Sequence, residues 1–107
     1  MRYAIKSIFR SIRFFFQRMF RGFDDSETWN LDYTISKMIL PKLKRFKKVS
    51  ITVPVGLTED EWNDHLDKMI FAFERSSSKS RYETTTGWEK HQEGLDLFAK
   101  YFSSLWW

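Results

Sequence analysis

Apolar and polar positions alternate along the chain with helical rather than strand spacing. Ile5, Ile8, Phe9, Ile12, Phe15, Phe16, Met19 and Phe20 fall on one arc of a helical wheel. Arg2, Lys6, Arg10, Arg13 and Arg21 lie on a flank beside that arc, and Arg18 lies apart. The spacing predicts a basic amphipathic helix over residues 3–20, ended near Gly22. Its apolar arc requires a partner. Asp24, Asp25, Ser26 and Glu27 then offer caps and first-turn acids for a second helix. That helix carries Trp29, Leu31, Tyr33, Ile35, Met38, Ile39 and Leu40 over more than half of its circumference, which predicts the most buried helix of the chain. Pro41 is expected to kink or restart it, with Leu43 and Phe46 facing inward from a basic run between Lys42 and Lys48. The simplest cover for such a helix is the apolar arc of residues 3–20, packed in place or swapped from a neighbouring protomer. The cations Arg2, Lys6, Arg10, Arg13 and Arg21 would then form a displayed rim.

Val49, Ile51, Val53 and Val55 alternate with Ser50, Thr52 and Pro54 in a short strand pattern. No second run of this kind exists to pair with it. The segment is either an extended connector or an edge that pairs with another protomer. Thr58 and Glu61 form a capping-box pair opening a third helix with Trp62, Leu66, Met69, Ile70 and Phe73 on its inner face. Phe71 falls on the opposite, charged face and is a candidate protomer contact. Residues 76–87 are rich in Ser and Thr, contain Lys79 and Arg81, and read as a mobile loop. A last helix from Trp88 to Leu105 presents Trp88, Leu95, Phe98, Tyr101, Phe102, Leu105 and Trp106 on one face. Trp106 and Trp107 are expected to dock rather than stand in water, and are further interface candidates. The fold class read from these elements is all-α. About four helices form one compact bundle of 107 residues, with a kink at Pro41 and a short extended segment at 49–55.

Composition sharpens this picture in two ways. Aromatic residues make up 19% of the chain, enough for a dense core or for rings reserved for a partner. Charge is uneven: residues 1–48 hold twelve Lys and Arg against four acids, and residues 49–107 hold six against ten. Such asymmetry points to an anionic partner at the basic end, or to attraction between the two halves. Cysteine is absent, which excludes disulfides, Cys-zinc sites and thiol catalysis. No apolar run reaches the roughly 20 residues of a membrane span. Residues 1–21 lack the charge placement and cleavage site of a signal peptide.

Candidate chemistry lies where polar side chains interrupt apolar arcs, because burying them costs free energy without a partner or ligand. His91 falls at the centre of the last helix's apolar face. Asp32 falls inside the arc of the second helix, with Ser36 one turn later. His91 reads as a buried, hydrogen-bonded histidine, or else as a ligand contact or a proton-transfer group with a perturbed pKa. Asp32 reads as the partner of an arginine from the first helix or of a Trp or Tyr. Its functional alternative is an acceptor for a ligand's amine or hydroxyl. Arg10, Arg13, Arg21, Lys79 and Arg81 complete a candidate set for an anion. His65 with Glu61 and Asp64 makes only a thin metal set, and no metal or cofactor is expected. No nucleophile elbow, no serine paired with histidine and no Gly-rich phosphate loop is visible, so enzyme is the weaker class. Lys42, Lys44, Arg45, Lys47 and Lys48 resemble a nucleic-acid patch in composition alone.

From Gly22 onward the chain resembles a family of small proteins encoded by tailed bacteriophages. The resemblance is carried by Gly22-Phe23-Asp24-Asp25-Ser26, Trp29-Asn30-Leu31-Asp32-Tyr33 and Leu40-Pro41-Lys42-Leu43 with Phe46. It continues through Glu61-Trp62, the run from Leu66 to Glu74, Glu93-Gly94-Leu95, Tyr101-Phe102 and Leu105-Trp106. Residues 1–21 and the loop at 76–87 lie outside it. The resemblance implies a viral origin and expression in the host bacterial cytoplasm, and brings no catalytic residues. The function expected from these features is that of a non-enzymatic accessory protein. It would counter host defence by holding a nucleotide or other anion between helices or protomers of a homo-oligomer. The alternative is an interaction module that uses the first helix against a host or virion protein. Membrane-surface and nucleic-acid binding are further readings of the same helix.

Overall fold

The computed structural model describes residues 2–78 and 87–107, with side chains from residue 6 onward. Four helices follow one another: α1 (Arg2–Arg21), α2 (Leu31–Val49), α3 (Glu59–Ser76) and α4 (Trp88–Lys100). Short 3₁₀ turns at Asp25–Thr28 and Phe102–Ser104 complete the order, and no strand occurs among the described residues. The fold is all-α with four helices, but it is not rounded. Its radius of gyration is 17.9 Å and its longest dimension 61 Å, against about 13 Å of radius expected for a compact chain of this length.

The core is a three-helix unit centred on α3. Thr58 opens α3 as the sequence requires: its hydroxyl accepts from the Glu61 N–H at 3.1 Å, and the Glu61 carboxylate accepts from the Thr58 N–H at 3.3 Å. Trp62, Leu66, Met69 and Phe73 all point inward, and Leu66 and Met69 are completely buried. Phe71 faces outward, as its place on the wheel requires. From α4, Leu95, Leu97, Phe98 and Tyr101 pack against this face, with the Phe73 and Phe98 rings edge to face at 4.9 Å. From α2, Ile39, Leu40, Leu43 and Phe46 close the other side. The α3–α4 crossing is tight at Gly94. A Cβ there would overlap the Lys68 carbonyl and lie 2.7 Å from the Ala72 Cβ.

The most buried helix is therefore α3, not α2. Only Ser36 and Leu43 are buried in α2, and Leu31, Ile35, Met38 and the preceding Trp29 are exposed. The wheel of α2 is broadly apolar because one edge meets α3 and the rest is uncovered. No restart occurs at Pro41: one helix runs from Leu31 to Val49. The segment after it forms no strand with any described residue of the chain. Ile51 and Val55 are exposed, and the Thr52 hydroxyl donates to the Trp106 carbonyl at 2.8 Å. This bond docks the backbone at the chain end. Both terminal indole rings stay two-thirds exposed, that of Trp107 beside Pro41, Arg45 and Phe46.

The two halves of the chain do attract each other. Lys44 meets Glu74 at 3.1 Å, and Lys47 pairs with Asp67, joining the basic end of α2 to acids of α3. These pairs are exposed, and each is worth about 0–1 kcal/mol.

Candidate functional site

Two regions hold the candidate residues. The first is α1 and the turn that follows it. The acids expected to cap α2 instead turn back onto α1. Arg18 pairs with Asp24, Arg21 with Asp25 at 2.8 Å, and the Gln17 amide donates to Asp25 at 2.6 Å. The Asp24 N–H donates to Glu27 at 2.6 Å, and the Ser26 hydroxyl donates to the Asp24 carboxylate. Asp24 is buried, and the Ser26 hydroxyl, with help from Arg18, holds its carboxyl below the ordinary value against the effect of desolvation. The Arg21 and Gln17 hydrogen bonds do the same for Asp25. Gly22 permits this corner with a left-handed φ of 82°.

This corner decides which way α1 faces. Among the described side chains of the helix the one buried ring is Phe14, 9% exposed and edge to face with Trp29 at 5.4 Å. Phe14 lies on the side of the helix opposite the apolar arc, near Arg10, Gln17, Arg18 and Arg21. So α1 is held to the body by its polar edge. Ile8, Phe9, Ile12, Phe15, Phe16, Met19 and Phe20 all remain uncovered, with exposures of 45% to 78%. The expectation that this arc packs against α2 within the same chain is corrected: among the described residues α1 meets no other helix, only the turn between Phe23 and Trp29. The flanking cations Lys6, Arg10, Arg13 and Arg21 are exposed, as a displayed rim requires. Arg21 is paired with Asp25 and lies over Phe23 at 4.6 Å, Arg10 lies over Trp29 at 5.8 Å, and Arg13 lies over Phe14 at 5.4 Å. The apolar stripe is displayed beside them.

The second region is a pocket of about 270 Å³ where α2, α3 and α4 meet. It gathers the three polar residues singled out in the sequence: Asp32 and Ser36 from α2, and His91 from α4. Arg75 and Ser76 of α3 and Trp88 of α4 join them. Asp32 itself is exposed at this pocket, so burial does not force it to take a charged partner. Ser36 is buried, and its hydroxyl donates to the Asp32 carbonyl at 2.7 Å within the helix. The Arg75 guanidinium lies over the Trp88 ring at 4.5 Å, and that ring meets His91 edge to face at 5.2 Å. Lys79 and Arg81 lie outside the described residues.

His91 is 7% exposed. Desolvation lowers its pKa from the ordinary 6.5, the positive charge of Arg75 lowers it further, and the Ala72 carbonyl acts weakly the other way. Its Nε2 lies 3.5 Å from the Ser76 hydroxyl, a serine–histidine approach that the sequence did not reveal. The pair is 15 residues apart, across the α3–α4 connection. The Nδ1 atom has no hydrogen-bond partner among the described residues. A nucleophile–base arrangement needs a third group to orient the imidazole and a shorter bond. Among the described residues neither is in place.

A pH dependence follows from His91. The unfolded imidazole takes up a proton near pH 6.5, while the folded one does so only at lower pH. The unfolded chain therefore binds more protons between these two values. Stability should be full above about pH 6.5 and decline as pH falls below it, until the folded imidazole is itself protonated. Urea midpoints between pH 5 and 7.5 check this: the decline should be smaller in His91→Gln, which does not titrate. An equal decline in both would assign it elsewhere.

Among the described residues no three His, Asp or Glu side chains gather as a metal set. His65 instead stacks on Tyr101 at 5.4 Å. No family model, curated protein or solved structure matches the chain.

Proposed function

We propose that the protein is a non-enzymatic docking protein that works through α1. The observation that carries this reading is the direction of that helix. Its polar edge is tied to Asp24, Asp25 and Trp29, and its apolar stripe is turned outward over its length. A soluble monomer rarely leaves a contiguous stripe of this size uncovered, and such surfaces mark interaction sites. The compact body of α2, α3 and α4 then acts as the platform that carries the helix. No helix among the described residues is long and apolar enough to cross a membrane.

Nucleotide binding between helices is supported less well. Arg10, Arg13 and Arg21 stand on α1, while Asp32, Ser36 and His91 line the pocket between the other helices. Among the described lining residues Arg75 is the one cation, and it lies against Trp88. Among the described residues the candidate groups thus fall into two separate regions.

The test is a pair of substitutions at the centre of the stripe, Ile12→Asp with Phe16→Asp, made in the full chain. The expected outcome is an unchanged thermal unfolding transition of the helical core together with loss of α1-dependent association. A drop in unfolding temperature as large as that of a core substitution would show the stripe to be covered by its own chain, and would end this reading.

A further inference from the structure

We infer that the surface α1 docks on is an anionic lipid bilayer, with the helix lying in the headgroup layer and its stripe turned toward the acyl chains. This rests on the reading of α1 as a docking helix and adds the identity of what it meets.

Charge is the first argument. Residues 2–21 carry six cations and no acid. Arg18 and Arg21 are drawn back to Asp24 and Asp25. Lys6 and Arg13 remain exposed on the flank of the stripe, where long cationic side chains reach headgroup phosphates while their stems cover apolar surface. An apolar stripe rich in phenylalanine, bordered by cations and unopposed by acids, matches a surface that is negative outside and apolar within.

The same charges disfavour a second copy. The exposed apolar residues best placed to receive α1 belong to α2, which itself holds six Lys and Arg against one Asp. Pairing α1 with α1, or α1 with α2, would bring two basic helices together. The acids that could relieve this lie on α3 and α4; four of the nine, Asp64, Asp67, Glu74 and Glu93, already meet lysines of the chain, and Glu61 is held in the Thr58 cap. A nucleic acid would neutralise the cations but give Ile8, Ile12 and Met19, in the middle of the stripe, nothing to pack against.

Shape is the second argument. The stripe runs along a helix of 20 residues, about 30 Å in length. The attachment through Phe14, Gln17, Arg18 and Arg21 lies on the other edge. A plane can therefore approach the whole stripe at once, without a groove. One interfacial helix of this kind binds reversibly, and part of its affinity is electrostatic and sensitive to salt.

Flotation of the full chain with vesicles tests this. Vesicles of equal parts phosphatidylglycerol and phosphatidylcholine should carry the protein upward at low salt, and pure phosphatidylcholine vesicles should bind it at least about tenfold more weakly. Salt of about 0.5 M should release much of it. Ile12→Asp with Phe16→Asp should abolish flotation. Lys6→Gln with Arg13→Gln should weaken it by about fivefold per cation removed while leaving the circular dichroism spectrum unchanged. Failure to float with anionic vesicles overturns the lipid assignment. If sedimentation then shows an oligomer that the Ile12→Asp and Phe16→Asp pair dissolves, the docking reading stands with a second copy as its occupant. If no association responds to the pair, both readings fall.

Discussion

Leu66→Ala is expected to destabilise the chain by about 2–5 kcal/mol. Leu66 is fully buried at the centre of α3, within the cluster formed by Leu43, Trp62, Met69 and Phe73. Truncation removes its transfer free energy and leaves a cavity that the rings around it, locked edge to face, can only partly fill. A domain of this size has about 5–15 kcal/mol in all, so the loss is a large share of the total. Because α1 meets only the turn between Phe23 and Trp29 among the described residues, it offers no second core to compensate. Urea unfolding followed at the helical circular dichroism band checks the size of the change. A shift below about 0.5 kcal/mol, the range of surface substitutions, would place the core elsewhere.

Gly94→Ala should also destabilise, by about 1–3 kcal/mol, although alanine is the better helix residue by about 1 kcal/mol. The sign is what makes the substitution informative. In an open helix the added methyl group would help. At Gly94 it meets the Lys68 carbonyl and the Ala72 methyl group, so α3 and α4 must move apart or α4 must shift. Separation would pull Leu95 and Phe98 away from the α3 face. Gln92→Ala, on the exposed side of the same helix, should stay within about 0.5 kcal/mol. A Gly94→Ala chain more stable than the parent would mean that the two helices are not in close contact there.

The elements legible in the sequence are those whose signals are local. The Thr58–Glu61 box places the start of α3, and the 3.6-residue spacing of Trp62, Leu66, Met69 and Phe73 gives its inner face. His91 was legible as a polar residue in an apolar face, and Asp32 and Ser36 do line the same pocket with it. What was not legible depends on relations between elements. A wheel shows which arc of a helix is apolar but not whether its own chain covers that arc, which is why α2 reads as buried and α1 as packed. The side α1 turns to the body is set by Phe14, a ring off the stripe, and by Asp24 and Asp25, whose acids read equally well as caps for the next helix. Gly94 reads as a weak point in a helical pattern, because its reason is a backbone of another helix. Ser76 meets His91 only through the packing of α3 on α4. The alternation from Val49 to Val55 is a true strand pattern without a neighbour to make it a strand.

The outward-facing stripe of α1 is the central claim, and hydrogen exchange reads it directly. In dilute protein the amides of residues 2–13, which precede the Phe14 contact, should exchange quickly, while those around Leu66 and Met69 should be the slowest of the chain. Addition of anionic vesicles should slow the α1 amides and leave α3 unchanged. Protection of α1 equal to that of α3 in the free, dilute protein would contradict the account, because it would mean that the stripe is already buried.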